Sequence, residues 1–133
     1  MEKRFVNPPG VAASPAYTHA VSVSAGRTIF ISGQVALDES GNLIGKGDLR
    51  AQTKQVFENL RRSLTATGAR FEDVVKVTYY IVGYRPEQLP AIREVRSGYL
   101  SRTQPPASTL VGVESLFMDG VLIEVEATAV VGE

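Results

Sequence analysis

Residues 122–131 read LIEVEATAVV, and their strict alternation decides the fold. Ile123, Val125, Ala127, Ala129 and Val131 point one way from an extended chain, while Leu122, Glu124, Glu126 and Thr128 point the other. The apolar face needs a cover, and two helices elsewhere in the chain are available to supply it. The opposite face then carries carboxylates, yet must also hide Tyr80, Val82 and similar residues. A lone domain would leave that face wet, so the pattern predicts a homo-oligomer whose sheets face one another.

Working back from this strand, STLVGVESL at 108–116 reads as another, set off by the turn-like Met118-Asp119-Gly120. QLPAIREVRSGYL at 88–100 places Leu89, Ile92, Val95 or Arg96, and Tyr99 at helical intervals, with Pro90 in the first turn. VVKVTYYIVG at 74–83 is rich in β-branched and aromatic residues, as a strand covered on both faces would be. Residues 48–67 carry the firmest helical period: Leu49, Thr53, Val56, Phe57, Leu60 and Leu64 form one stripe, with Arg50, Lys54, Glu58 and Arg61 opposite. Asp48 is a suitable N-cap and Gly68 a suitable stop. The strand–helix–strand spacing on either side suggests a crossover unit.

Upstream, HAVSVSA and RTIFISGQVAL read as two antiparallel strands, bounded by Ala25-Gly26 and by DESGN, where Gly41-Asn42 suits a turn with positive φ. The opening RFVNPPGVAASPAY holds three of the seven prolines and reads as an extended surface loop able to frame a site. The predicted order is β-β-α-β-α-β-β, with a third extended segment before the first helix left open. One α+β domain over residues 1–133 accounts for all of it.

Composition excludes several chemistries. With no cysteine there is no disulfide, thiolate nucleophile or thiolate metal site, which fits a cytoplasmic protein. His19 is the single histidine, so a structural zinc site of four Cys/His ligands cannot be assembled within one chain. Fourteen Lys+Arg balance fourteen Asp+Glu, which removes the field that gathers phosphate backbones and makes nucleic acid a poor partner. No apolar run reaches the length of about 18 residues that a membrane span needs. GNLIGKG at 41–47 is superficially similar to a phosphate-binding loop, but Gly41 and Gly45 are one residue too close and Gly47 stands where Ser or Thr would hold magnesium.

Three stretches, PAYTHAV with FISGQVAL, QPPASTLVGV, and LIEVEATAV, resemble the RidA family, also called YjgF or L-PSP proteins. The resemblance runs over nearly the whole chain. It implies a chorismate-mutase-like α+β fold, a mixed sheet with two helices on one face, and a homotrimer with a central barrel and clefts between subunits. It also implies hydrolysis of enamine/imine intermediates such as 2-aminoacrylate to 2-oxo acids and ammonia, with no metal and no cofactor.

Carried over by position, the resemblance makes Glu124 the catalytic residue that positions the attacking water. Tyr17 resembles the tyrosine that covers the cleft, and Ser32-Gly33-Gln34 the segment that lines it. The departure is at Pro106-Ala107-Ser108, where the deaminating members have an arginine that pairs with the substrate carboxylate. Such a fork contributes roughly 1.5–3 kcal/mol, against one neutral hydrogen bond from a serine. Arg93 falls near a position that is asparagine in some deaminating members, and Arg96 lies one turn further on. Tyr17, Ser32, Gly33, Arg93, Ser108 and Thr109 are the candidate substrate-binding residues.

Plainer roles exist for most of these residues. Glu124 and Glu126 suit solvated strand positions, Ser32-Gly33 suits a strand bend, and the arginines suit wet helix faces. His19 is expected to be structural, since no acidic orienter lies near it in sequence. Three functions are thereby set against one another. A trimer that binds a small carboxylated or carbonyl metabolite and hydrolyses imines stands first, a non-catalytic binding or regulatory trimer second, and the family's older label of endoribonuclease and translation inhibitor last.

Overall fold

The computed structural model describes residues 1–132. Its centre is a four-stranded sheet built from β3 (Arg27–Gln34), β4 (Val74–Val82), β5 (Ala107–Val113) and β6 (Ile123–Val131), in the order β3-β6-β4-β5. β6 runs antiparallel to both neighbours, and β4 pairs parallel with β5. Two helices, α1 (Leu49–Ala66) and α2 (Leu89–Arg96), provide the crossovers from β3 to β4 and from β4 to β5. A separate two-stranded ribbon joins β1 (Lys3–Val6) to β2 (Ala20–Val23).

The alternation of the last strand holds through Ala129: Ile123, Val125, Ala127 and Ala129 are buried, and Glu124, Glu126 and Thr128 are half-exposed, but it ends there, with Val130 buried and Val131, expected on the buried face, half-exposed. Val77, Tyr79 and Ile81 of β4 join the buried face, where Val56, Phe57, Leu60 and Leu64 of α1 and Ile92 of α2 complete the core. Within one chain β4 is covered on one face only. Thr78, Tyr80 and Val82 remain partly exposed, because both helices lie on one side of the sheet. Phe30 of β3, opposite Thr128, is 82% exposed on that bare side.

α1 begins where expected. The Asp48 carboxylate accepts the Ala51 N–H at 3.0 Å, and Gly68 leaves the helix with φ +79°. Its buried stripe also contains Gln52, which the apolar period passes over. Gln52 is fully buried because its amide is satisfied: Nε2 donates to the carbonyls of Gly45 (3.1 Å) and Gly120 (2.9 Å), and Oε1 accepts from Leu122 N–H (2.9 Å).

Other expectations are corrected in detail. The N-terminal stretch is not all loop: Lys3–Val6 pairs with β2, since the prolines begin only at Pro8 and leave the donors of residues 3–6 intact. β2 and β3 therefore belong to different sheets, parted at Gly26 with φ +116°. Met118-Asp119-Gly120 does turn, but β5 and β6 do not pair, because β4 lies between them. The second helix is shorter than the sequence stretch, entered by a 3₁₀ turn at Pro86–Gln88. Among the described residues no helix is long and apolar enough to cross a membrane.

Candidate functional site

The sheet divides the candidate residues into two groups, one on each side. On the helix side, β5 pairs with β4 so that Ser108 lies opposite Val77 and Leu110 opposite Tyr79. Ser108 thus faces the helices at the open edge of the sheet. There a cavity of about 320 Å³ is lined by Tyr17, Tyr79, Tyr84, Ile92, Arg93, Arg96, Ser108 and Leu110, among others.

Tyr17 reaches this cavity because the residue after it is anchored to the approach to β5. Thr18 is buried, its hydroxyl donates to the Pro105 carbonyl at 2.5 Å, and its N–H donates to the Pro106 carbonyl at 3.2 Å. His19 completes the anchor. Its backbone N–H donates to Asn7 Oδ1 (2.9 Å), its ring Nε2 lies 2.6 Å from the Ala12 carbonyl, and its ring meets Tyr17 edge-on. A carbonyl only accepts, so that nitrogen carries the proton. The histidine has the structural role expected of it.

On the bare side stand Glu124, Glu126, Tyr80, Thr78, Lys76 and Thr109, brought into rows by the registers Tyr80↔Glu124, Thr78↔Glu126 and Thr78↔Thr109. The Tyr80 hydroxyl donates to Glu126, a bond that raises the phenol's pKa above its ordinary value. Lys76 Nζ donates to the Thr109 hydroxyl at 2.6 Å. Glu124 has neither a hydrogen bond nor an ion pair to its side chain among the described residues. Its carboxylate packs directly on Gly33, where a Cβ would overlap it. Gly33 sits in the irregular stretch of β3 between Ile31 and Gln34, next to the exposed Ser32.

The structure therefore brings Tyr17, Arg93 and Ser108 together, and separately brings Gly33 and Glu124 together. It does not unite the two groups, and it places Thr109 with the second. Arg96 lines the cavity as well, while Tyr79 and Tyr84 are cavity residues that the sequence analysis did not single out. Counting in twos from Ser108 and Leu110 along the parallel register would have pointed to Tyr79. Among the described residues no cluster of His, Cys, Asp or Glu is arranged to hold a metal ion.

Residues 9–131 match the family model described as Endoribonuclease L-PSP. The chain is 37% identical to a RutC family protein of Pyrococcus horikoshii over 118 residues, covering 89% of this chain and 90% of that one. It is 31% identical to a 2-iminobutanoate/2-iminopropanoate deaminase of Dermatophagoides farinae, covering 97% of each. Among solved structures, a conserved Rid family protein from Yersinia pestis superposes with a TM-score of 0.88 at 39% identity, covering 98% of this chain and 100% of that one.

Proposed function

Since the chain belongs to the L-PSP family, in which Rid proteins and imine deaminases are its relatives, we propose that it is a RidA-like homotrimer that hydrolyses small enamine/imine acids in clefts between subunits. The observation that carries this reading is the division of the site: Glu124 on the bare side of the sheet, and the Tyr17–Ser108 cavity behind its helix side. A chain whose water-positioning carboxylate and ligand pocket face opposite ways completes a site only against a neighbour. The exposed Phe30 and half-exposed Tyr80 and Val82 support that packing.

The chemistry asks little of the protein. An enamine tautomerises to an imine, whose carbon is electrophilic. Water held by Glu124 adds to that carbon, the carboxylate takes a water proton, and nitrogen is protonated as it becomes an amine. Collapse of the carbinolamine breaks the C–N bond and leaves a 2-oxo acid and ammonia. Glu124 suits the role because no neighbour among the described residues bonds its carboxylate and Gly33 leaves it room.

Ser108 keeps a second reading in view, a trimer that binds the metabolite without turning it over, because the family arginine is absent. One assay separates them. The protein is mixed with an enzyme that generates 2-aminoacrylate, and pyruvate release is followed. Acceleration over buffer, abolished in Glu124→Gln, supports the hydrolase. Thermal stabilisation by 2-oxo acids without acceleration supports the binder.

A further inference from the structure

The cavity behind β5 lacks the arginine but not the means to hold an anion. Tyr79 is 1% exposed, and its hydroxyl makes no hydrogen bond among the described residues. Burial is the main cause that pushes this phenol up to about 12, with the nearby Arg96 guanidinium opposing it, so at neutral pH the group is an O–H donor without an acceptor. Arg96 and Arg93 enter the same cavity from α2, and both also line a neighbouring depression together with Arg102. None of the three arginines forms an ion pair among the described residues, although Glu94 on the same helix pairs with Arg50. Much of the remaining wall, including Leu89, Ile92 and Leu110, is apolar.

We propose that Arg96 and the Tyr79 hydroxyl hold the ligand's carboxylate from α2 and β4, doing from the far wall what an arginine at position 108 would do from β5. This deepens the imine-hydrolase reading and rests on it for the ligand's reacting end. A planar carboxylate suits a guanidinium fork plus one hydroxyl, the pair that Arg96 and Tyr79 supply. The volume, about 320 Å³, holds about ten waters at roughly 30 Å³ each, more than a three-carbon acid requires. The ligand class is therefore a 2-imino or 2-oxo acid with an apolar side chain lying against Leu89, Ile92 and Leu110.

The test is a calorimetric titration with 4-methyl-2-oxopentanoate and, separately, its neutral methyl ester. Wild-type protein should bind the acid at least about tenfold more tightly than the ester, the difference a charge-assisted contact provides. Tyr79→Phe and Arg96→Met should each lose about tenfold for the acid and erase most of the preference. Tyr79→Phe deletes one oxygen and should melt no lower than wild type, so it decides the matter even if Arg96→Met fails to fold. Equal binding of acid and ester, no binding of the acid, or unaltered acid binding in Tyr79→Phe overturns the proposal. Inorganic phosphate that displaces the acid at equal concentration overturns the carboxylate assignment. Acid binding as described, without imine hydrolysis, would refute the hydrolase alone. Hydrolysis with acid binding indifferent to both residues would refute this site alone.

Discussion

Tyr79 carries an energetic cost that its packing does not remove. A buried hydroxyl without a partner forfeits its bonds to water, a penalty of about 1–3 kcal/mol. Tyr79→Phe should therefore leave the ligand-free protein as stable or about 1 kcal/mol more stable in urea titrations, the reverse of the usual effect of trimming a core side chain. Gly33 answers to a different constraint. Its φ is ordinary, but a methyl group there would occupy the space of the Glu124 carboxylate. Gly33→Ala should sharply reduce imine hydrolysis while shifting the melting temperature little, because the carboxylate sits on a half-exposed face and swings aside without disturbing the core. Sequence reasoning reached Gly33 and Glu124 through the resemblance, and reached the direction of Glu124 through alternation alone. Tyr79 escaped it because period 2 assigns a side chain to a face without telling whether the hydroxyl at its end meets a partner.

Elements were legible wherever a period repeated, and illegible where one polar side chain or one missing pair set the boundary. The α1 stripe from Val56 to Leu64 and its Asp48 cap follow from spacing. Gln52 does not, since an amide on an apolar stripe looks misplaced until Gly45, Gly120 and Leu122 supply its partners. Gln52→Ala should cost about 2–3 kcal/mol by strand-and-loop detachment as well as cavity formation, measured by chemical denaturation. The contact between α1 and the turn that follows α2 has a pH signature. The Tyr99 hydroxyl donates to Glu58 at 2.6 Å, and that bond is the main reason the carboxyl's pKa lies below 4.5. A depressed folded value means the stabilisation is present above the unfolded pKa and fades as pH falls through the folded one. Glu58→Gln should therefore lose a small increment near neutrality and show a shallower decline in melting temperature below about pH 4.5, small because more than a third of the side chain is open to solvent.

At the scale of the molecule, the pleat itself carries the functional argument. Neighbouring residues on one strand face opposite ways, so Tyr79 belongs to the cavity and Tyr80 to the row that contains Glu124. The two faces of the last strand were readable in sequence, while the shape of the cavity was not, because it depends on how Thr18 draws the Tyr17 loop onto the start of β5. If a site is shared between copies, a defect on one face is complemented by a copy defective on the other. Glu124→Gln should be inactive alone, and Arg96→Met about tenfold impaired at low substrate concentration. Unfolded, mixed in equal amounts and refolded together, they should regain activity in about a quarter of the sites, those that draw Glu124 from one variant and Arg96 from the other. Phe30→Asp, which places a charge on the exposed face opposite Thr128, should yield a single copy in sedimentation and abolish turnover without unfolding the core, since Phe30 takes no part in it. Complementation would then disappear when either variant also carries Phe30→Asp. Activity from such a single copy, or none regained on mixing, would show that the site is not shared between copies.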